Sequence, residues 1–291
     1  MGEMDEDRVY DDRRRETVAY LATGQGVATV RVASDRVGRF SLTHQCTARD
    51  IAAAGERVYV ATPEGVLAGG VGTDAETAGA VPGEFDSLEF PDAVTVTAAA
   101  TDDGEPSVVA AGADGTVARY RDDAWHELGA VGEVRALSGE FVAASDGVYQ
   151  LVGDEGDATL RHVGLDDARD VTGGAAPLVA TGEGLYRLGN GWLCEREGAF
   201  AVVATGDTAG GSCAHAATDE TLYARRDGEW TAVDLPVPGT VADVAYGECV
   251  YAVTGDGTFL VEADPERTAD GAGGWRHRSL GLPDVAALAA V

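Results

Sequence analysis

The chain of 291 residues contains no lysine, a single asparagine (Asn190) and a single isoleucine (Ile51). All 21 basic residues are therefore arginine, and they stand against 50 acidic ones, a formal charge of −29. A surplus of that sign repels the nucleic-acid backbone and anionic lipid heads, so neither nucleic acid nor membrane is expected as a partner. The run of about 18 apolar residues that a spanning helix needs is missing. The cysteines Cys46, Cys194, Cys213 and Cys249 stand far apart without CxxC spacing, which reads as free thiols in a reducing cytoplasm. Signatures of nucleophilic, zinc-peptidase and nucleotide chemistry are missing too: there is no GxSxG, HExxH or Walker loop, and no GxGxxG between a strand and a helix.

Acidity without lysine is what proteins working in molar internal salt display. At about 1 M salt the screening length falls to roughly 3 Å, so self-repulsion costs little and the carboxylates keep the surface hydrated. A GC-rich genome depletes lysine, asparagine and isoleucine together and contributes to the same bias. The expectation is a halophilic cytoplasmic protein. Arg13, Arg14 and Arg15 precede the uncharged run from Thr17 to Val30 as in a twin-arginine export signal, but Glu16 follows them and the run contains Gly24, Gln25 and Gly26. That run is also part of an internal repeat, so cleavage would remove part of the fold. Residues 1–15 read as a charged mobile tail and residues 16–291 as a single domain.

What is present is one phrase, repeated. It reads Ala22-Thr-Gly-Gln-Gly26, Ala61-Thr-Pro-Glu-Gly65, Ala111-Gly-Ala-Asp-Gly115, Ala143-Ala-Ser-Asp-Gly147, Ala180-Thr-Gly-Glu-Gly184, Ala216-Ala-Thr-Asp-Glu220 and Val253-Thr-Gly-Asp-Gly257. Its last residues are spaced by 39, 50, 32, 37, 36 and 37, which implies one supersecondary unit copied seven times. Short apolar runs flank each copy, as in Arg57-Val-Tyr-Val-Ala61 before and Gly184-Leu-Tyr-Arg-Leu188 after, and Asp-Gly or Glu-Gly between them supplies the positive φ of a tight hairpin. These are strands B and C. A third run, strand D, is opened by each of the four tryptophans, Trp125, Trp192, Trp230 and Trp275.

A fourth family of segments is rich in Ala and Val, which suits an innermost strand A crowded around an axis. It comprises Thr47 to Ala54, Ala93 to Ala100, Gly132 to Ser138, Ala168 to Gly173, Ala199 to Thr205, Thr240 to Tyr246 and Asp284 to Val291. Four strands in about 38 residues, without helical periodicity, make a β-propeller blade. The chain opens with strands B, C and D (Thr17 to about Gln45) and ends with an orphan strand A. The fold class is therefore all-β: a seven-bladed propeller of four-stranded antiparallel blades, its ring closed by pairing the C-terminal strand with the N-terminal three. The long interval is taken up by Gly69 to Asp92, which reads as an enlarged loop rather than an eighth blade.

Thr221-Leu-Tyr-Ala-Arg-Arg-Asp-Gly-Glu-Trp230 and Gly184-Leu-Tyr-Arg-Leu188 resemble blades of sialidase-like and photosystem-assembly-factor-like propellers, whose Asp-box is matched here by Asp227, Gly228 and Trp230 in one blade. Over its whole length, with its acidity and lack of lysine, the chain is more similar to haloarchaeal propeller proteins, a resemblance that implies a fold and no activity. The arginine triad and carboxylate-supported tyrosine of sialidase chemistry have no matched positions.

Propellers bind at the face where B–C turns and D–A connections converge. Six of the seven turns place a carboxylate there, Glu64, Asp114, Asp146, Glu183, Asp219 and Asp256, a ring suited to turn chemistry and solvation, or to Ca²⁺, Mg²⁺ or a basic partner. Aligning strand A on Ile51, Val96, Leu137, Val171, Val203, Val244 and Leu288 puts Asp50, Asp170 and Asp243 in the preceding column and Arg49, Arg135 and Arg169 one column earlier. Charge inside an apolar strand needs a partner: either the arginines grip an anionic ligand, or Arg and Asp of neighbouring blades pair and lock the ring. His126, His162 and His277 fall on outer strands. His215 replaces an apolar residue in strand B, two residues from Cys213; a soft-metal pair or a satisfied core histidine fits it, and no second pair completes a metal site. The chain thus reads as a non-catalytic, monomeric propeller scaffold for a protein or peptide partner, without metal or cofactor. The alternative is a small-molecule binder or enzyme using Arg49, Asp50, Arg135, Arg169, Asp170 and Asp243 at the channel mouth.

Overall fold

Each sheet buries both of its faces, which is why the apolar runs are continuous rather than alternating. In Arg57–Thr62, Val58 and Val60 join a core cluster with Tyr20 and Val27 on one side, while Tyr59 and Ala61 join Val96 and Val108 on the other. The computed structural model describes residues 17–71, 84–101, 106–153, 157–208, 211–226, 228–263 and 274–291. The tail expected at residues 1–15, and Asp227 of the Asp-box phrase, lie outside them.

The described residues form seven four-stranded antiparallel sheets and no helix, so none is long and apolar enough to cross a membrane. Strand A occupies Asp50–Ala54 in blade 2, Ala93–Ala99 in blade 3, Val134–Ser138 in blade 4, Ala168–Thr172 in blade 5, Val202–Thr208 in blade 6 and Val241–Tyr246 in blade 7. In blade 1 it is the C-terminal Val285–Ala290, paired antiparallel with Thr17–Thr23, with Leu21 opposite Leu288 and Ala19 opposite Ala290. Val18 and Val291 exchange backbone hydrogen bonds of 3.0 Å in both directions. The ring therefore closes as the order of repeats requires, and seven apolar clusters fill the seven junctions between blades. Residues 72–83 of the stretch from Gly69 to Asp92, expected to be an enlarged loop, lie outside the described residues; of the rest, Asp86–Ser87 pairs with Leu67 and Ala68 as the fourth strand of blade 2.

The repeated phrase has a division of labour. In Thr23, Thr62 and Thr181 the hydroxyl accepts the N–H of the glycine three residues on and donates to that glycine's carbonyl, closing the B–C turn from within. The closing glycine serves a second purpose. Gly257 has φ +83°, and a Cβ there would overlap the carbonyl oxygen of Leu282 in the connection to the next blade. Gly65 stands in the same relation to the Phe90 carbonyl. Strand C thus starts where only a bare backbone lets the D–A connection pass. Gly257→Ala is expected to cost about 2–4 kcal/mol in chemical unfolding, while Gly255→Ala, with nothing near its Cβ, changes stability little; equal costs would show that the close approach is not what glycine provides.

Candidate functional site

The strand-A columns meet on the ring axis. Arg49, Asp50, Arg135, Arg169, Asp170 and Asp243 all line one cavity of about 400 Å³, with walls of small strand-A side chains such as Ala52, Ala136 and Ala204. The six residues singled out from the sequence thus share one cavity, but they fall into two systems that scarcely touch.

The aspartates bind backbone. Asp50 accepts Ile51 N–H at 2.8 Å in its own blade and Val96 N–H at 2.9 Å in the next, together with the Thr95 hydroxyl at 2.5 Å. Asp170 accepts Val171 N–H at 2.8 Å and Val203 N–H at 2.7 Å, and Asp243 accepts Val244 and Leu288 N–H, both at 2.7 Å. Each carboxyl thus laces one inner strand to the following one, at the junctions 2/3, 5/6 and 7/1. These residues keep some contact with the lumen, yet the ring encloses their carboxyls. Burial raises the pKa of all three, that of Asp170 to about 7; Asp50 adds to the rise at Asp170, and Asp170 and Asp50 to that at Asp243.

The arginines bind carboxylates that precede strand A. Arg49 donates to Asp92 at 2.7 Å and to the Ala93 carbonyl at 3.1 Å, and Arg135 to Asp167 at 2.5 Å and to the Ala168 carbonyl at 3.4 Å, both reaching forward one blade. Arg169 instead turns back to Asp167 of its own blade, at 3.2 Å. The hydrogen bond from Arg135, with the charge of Arg169, holds the Asp167 carboxyl below the usual range. Asp92 and Asp167 occupy the left-handed region, φ 41° and 48°, which aspartate tolerates better than most side chains. Sequence reading missed both, although a signal existed: four positions before the alignment residue the seven copies read Thr47, Asp92, Glu133, Asp167, Ala199, Thr240 and Asp284.

Outside the channel the stitching runs the other way. Trp125 donates its indole N–H to Leu88 O at 2.6 Å, Trp192 to Val163 O at 2.8 Å, and Trp230 to Glu195 at 2.7 Å, each in the preceding blade. Glu195, unnoticed in the sequence, also accepts from Arg187 and from Arg225. Burial pushes its carboxyl up, but the hydrogen bonds of Trp230 and Arg187 and the charge of Arg225 outweigh it, and its pKa lies below the usual value.

The turn carboxylates Glu64, Asp114, Asp146, Glu183, Asp219 and Asp256 are all exposed on the face of the B–C turns. Three of them take part in local bonds: Asp114 with Thr116 N–H, Asp146 with Tyr149 and Gly132, and Asp256 with Thr254. Among the described residues no group of three or more His, Cys, Asp or Glu is placed to hold a metal ion. His215 is a core histidine: it is 3% exposed, its Nδ1 lies 2.9 Å from the Tyr246 hydroxyl, and that hydroxyl donates to Ala204 O at 3.0 Å. Burial, assisted by Arg226, lowers its pKa to about 4, so the ring stays neutral. Cys213 instead contacts Gly211 O and Thr208, and no two of the four cysteines form a disulfide.

Fold and channel together define a seven-bladed β-propeller with inner strands laced by charged side chains. The family model described as "Beta-prop_HVO_0234-like, beta propeller" matches residues 3–291, and the chain belongs to that family. No curated protein matches it. Among solved structures it is similar to AztD from Citrobacter koseri (12% identity, 95% of this chain and 98% of that one, TM-score 0.59). It is also similar to a chain of the Mitotic Checkpoint Complex (11%, 83% and 82%, TM-score 0.63). A third is the Cps50 (Swd1) propeller domain of Myceliophteria thermophila (12%, 81% and 92%, TM-score 0.53). At these identities the likeness is one of fold.

Proposed function

We propose that the protein is a non-catalytic scaffold of a halophilic cytoplasm that docks a protein or peptide partner with a basic surface on the face of its B–C turns. The observation that carries this reading is the ring of six exposed carboxylates, one in each of six blades, on a frame whose inner charges are mostly committed to holding strands together. At about 1 M salt long-range steering is screened beyond roughly 3 Å, so such a ring acts by direct contact and selects a partner with arginines or lysines at matching spacing. Propeller chains also occur in assemblies, as the name Mitotic Checkpoint Complex states for one similar structure.

The test uses carboxylates that make no turn hydrogen bond. The full chain is compared with the triple variant Glu64→Gln, Glu183→Gln, Asp219→Asn in affinity purification from a halophile lysate in molar KCl. Recovery of one specific partner by the wild type, reduced about tenfold or more by the variant, is expected. No specific partner, or equal recovery by both, overturns the proposal.

A further inference from the structure

At the channel mouth between blades 4 and 5, two guanidinium groups share one carboxylate. Arg49 has Asp92 to itself, but Arg135 and Arg169 both bind Asp167, through its separate oxygens. The alignment explains the surplus. An arginine of one blade reaches the acidic residue four positions before the alignment residue of the next; Arg49 finds Asp92 and Arg135 finds Asp167, but the position facing Arg169 is Ala199. Arg169 therefore folds back, and Gly182 makes room for it: a Cβ there would overlap Asp167 Oδ2 and come within 2.9 Å of Arg169 Nη2. The neighbouring Asp170 turns its oxygens to the backbone N–H groups of Val171 and Val203 and makes no ion pair with Arg169 among the described residues.

A guanidinium carries five N–H donors, and Arg169 gives one hydrogen bond to a described residue. Its side chain is 36% exposed and faces the cavity, whose size of about 400 Å³ lies within the roughly 300–1,000 Å³ of small-molecule sites. Farther along the lumen the hydroxyl-bearing Thr97, Ser138 and Thr205 share the wall with small apolar side chains. We propose that Arg169, with Arg135 beside it, forms an anion-binding site at the channel mouth, taking a small molecule through a carboxylate or phosphate group and enclosing its body in the lumen. The planar fork suits such oxyanions bidentately. The net charge of −29 does not keep the anion out in brine, where repulsion from the distant surface is screened within roughly 3 Å.

The full-length protein in about 2 M KCl is titrated separately with inorganic phosphate and with citrate, and its thermal unfolding is followed. A saturable rise in Tm of about 2–5 °C is expected with at least one of them, and which one responds tells phosphate-bearing from carboxylate-bearing ligands. Arg169→Gln abolishes the rise while leaving the anion-free Tm within about 1 °C, since it removes one exposed ion pair; Arg169→Lys, which keeps the charge but not the fork, weakens binding about tenfold. No saturable rise with either anion overturns the site. So does an equal rise in wild type and Arg169→Gln, which marks general stabilisation by an excluded salt. Neither outcome bears on the loop-face docking site, which does not contain Arg169.

Discussion

Deleting Asp284–Val291 is expected to leave a chain that does not fold as a monomer. The segment supplies Val285 and Leu288 to the core between blades 7 and 1, and Ala287 and Ala289 to the core between blades 1 and 2. Burial of a valine or leucine side chain stabilises by about 1.5–3 kcal/mol, so these four side chains together contribute about 5 kcal/mol before any strand pairing is counted. That is comparable to the whole net stability of a typical domain, about 5–15 kcal/mol. The deletion also bares the Thr17–Thr23 edge, a template for association, and leaves the buried Asp243 with one of its two backbone N–H donors. Size-exclusion chromatography and light scattering should show aggregates. A circular permutant joining Val291 to Thr17, next to the hydrogen-bonded pair Val18 and Val291, and opened between Val152 and Thr159 of blade 4, should fold and keep the wild type's elution volume. A folded, monomeric deletion variant would mean that the ring does not depend on its last strand.

The second large effect is on pH dependence. The Asp170 carboxyl moves from an ordinary 3.8 to about 7 in the folded ring, chiefly through burial and further through Asp50. A raised pKa means that folding takes up a proton between these values. Its stabilising share is therefore complete below about pH 4 and is lost as pH rises through about 7. Asp50 and Asp243 shift in the same direction. Unfolding free energy at fixed KCl is expected to fall by about 2–4 kcal/mol between pH 5 and pH 8 on account of Asp170. Asp170→Asn, which cannot titrate and lacks one acceptor oxygen, should be destabilised at pH 5 and less so at pH 8. A deficit that is constant, or that widens toward pH 8, would show that Asp170 is ionised throughout.

Much of this architecture is legible in the residues themselves, because a repeat exposes its own rules. Variants of one short phrase, five of the seven ending in Asp-Gly or Glu-Gly, mark every B–C turn, and an orphan strand A beside three orphan strands dictates the closure. The Arg and Asp columns of strand A were legible as a cluster, since charge in an Ala and Val strand demands a partner. Which partner was not legible within one blade. Asp50 reaches the backbone of Val96 and Arg49 the carboxylate of Asp92, both in the next blade, and a backbone N–H leaves no mark in a sequence. The Arg–Asp pairs become visible only when the column holding Asp92 and Asp167 is set one blade out of step with the column holding Arg49 and Arg135. Glu195 was hidden for a different reason: an acid on an outer strand looks solvated until its neighbours place two arginines and an indole around it.

An array of repeats with two ends unravels from them, each terminal unit needing to part from one neighbour only. Here the guanidinium and carboxylate links run forward on the inside at the junctions 2/3, 4/5, 5/6 and 7/1, while the indole links run backward on the outside at 2/3, 4/5 and 5/6, so these last three junctions are held at two radii, and an apolar cluster fills every one of the seven. No unit is terminal, and none can loosen without straining both companions. The face proposed for docking is accordingly carried on a platform that resists local breathing, and the partner and anion proposed for it would meet groups already in position rather than ones they must first arrange.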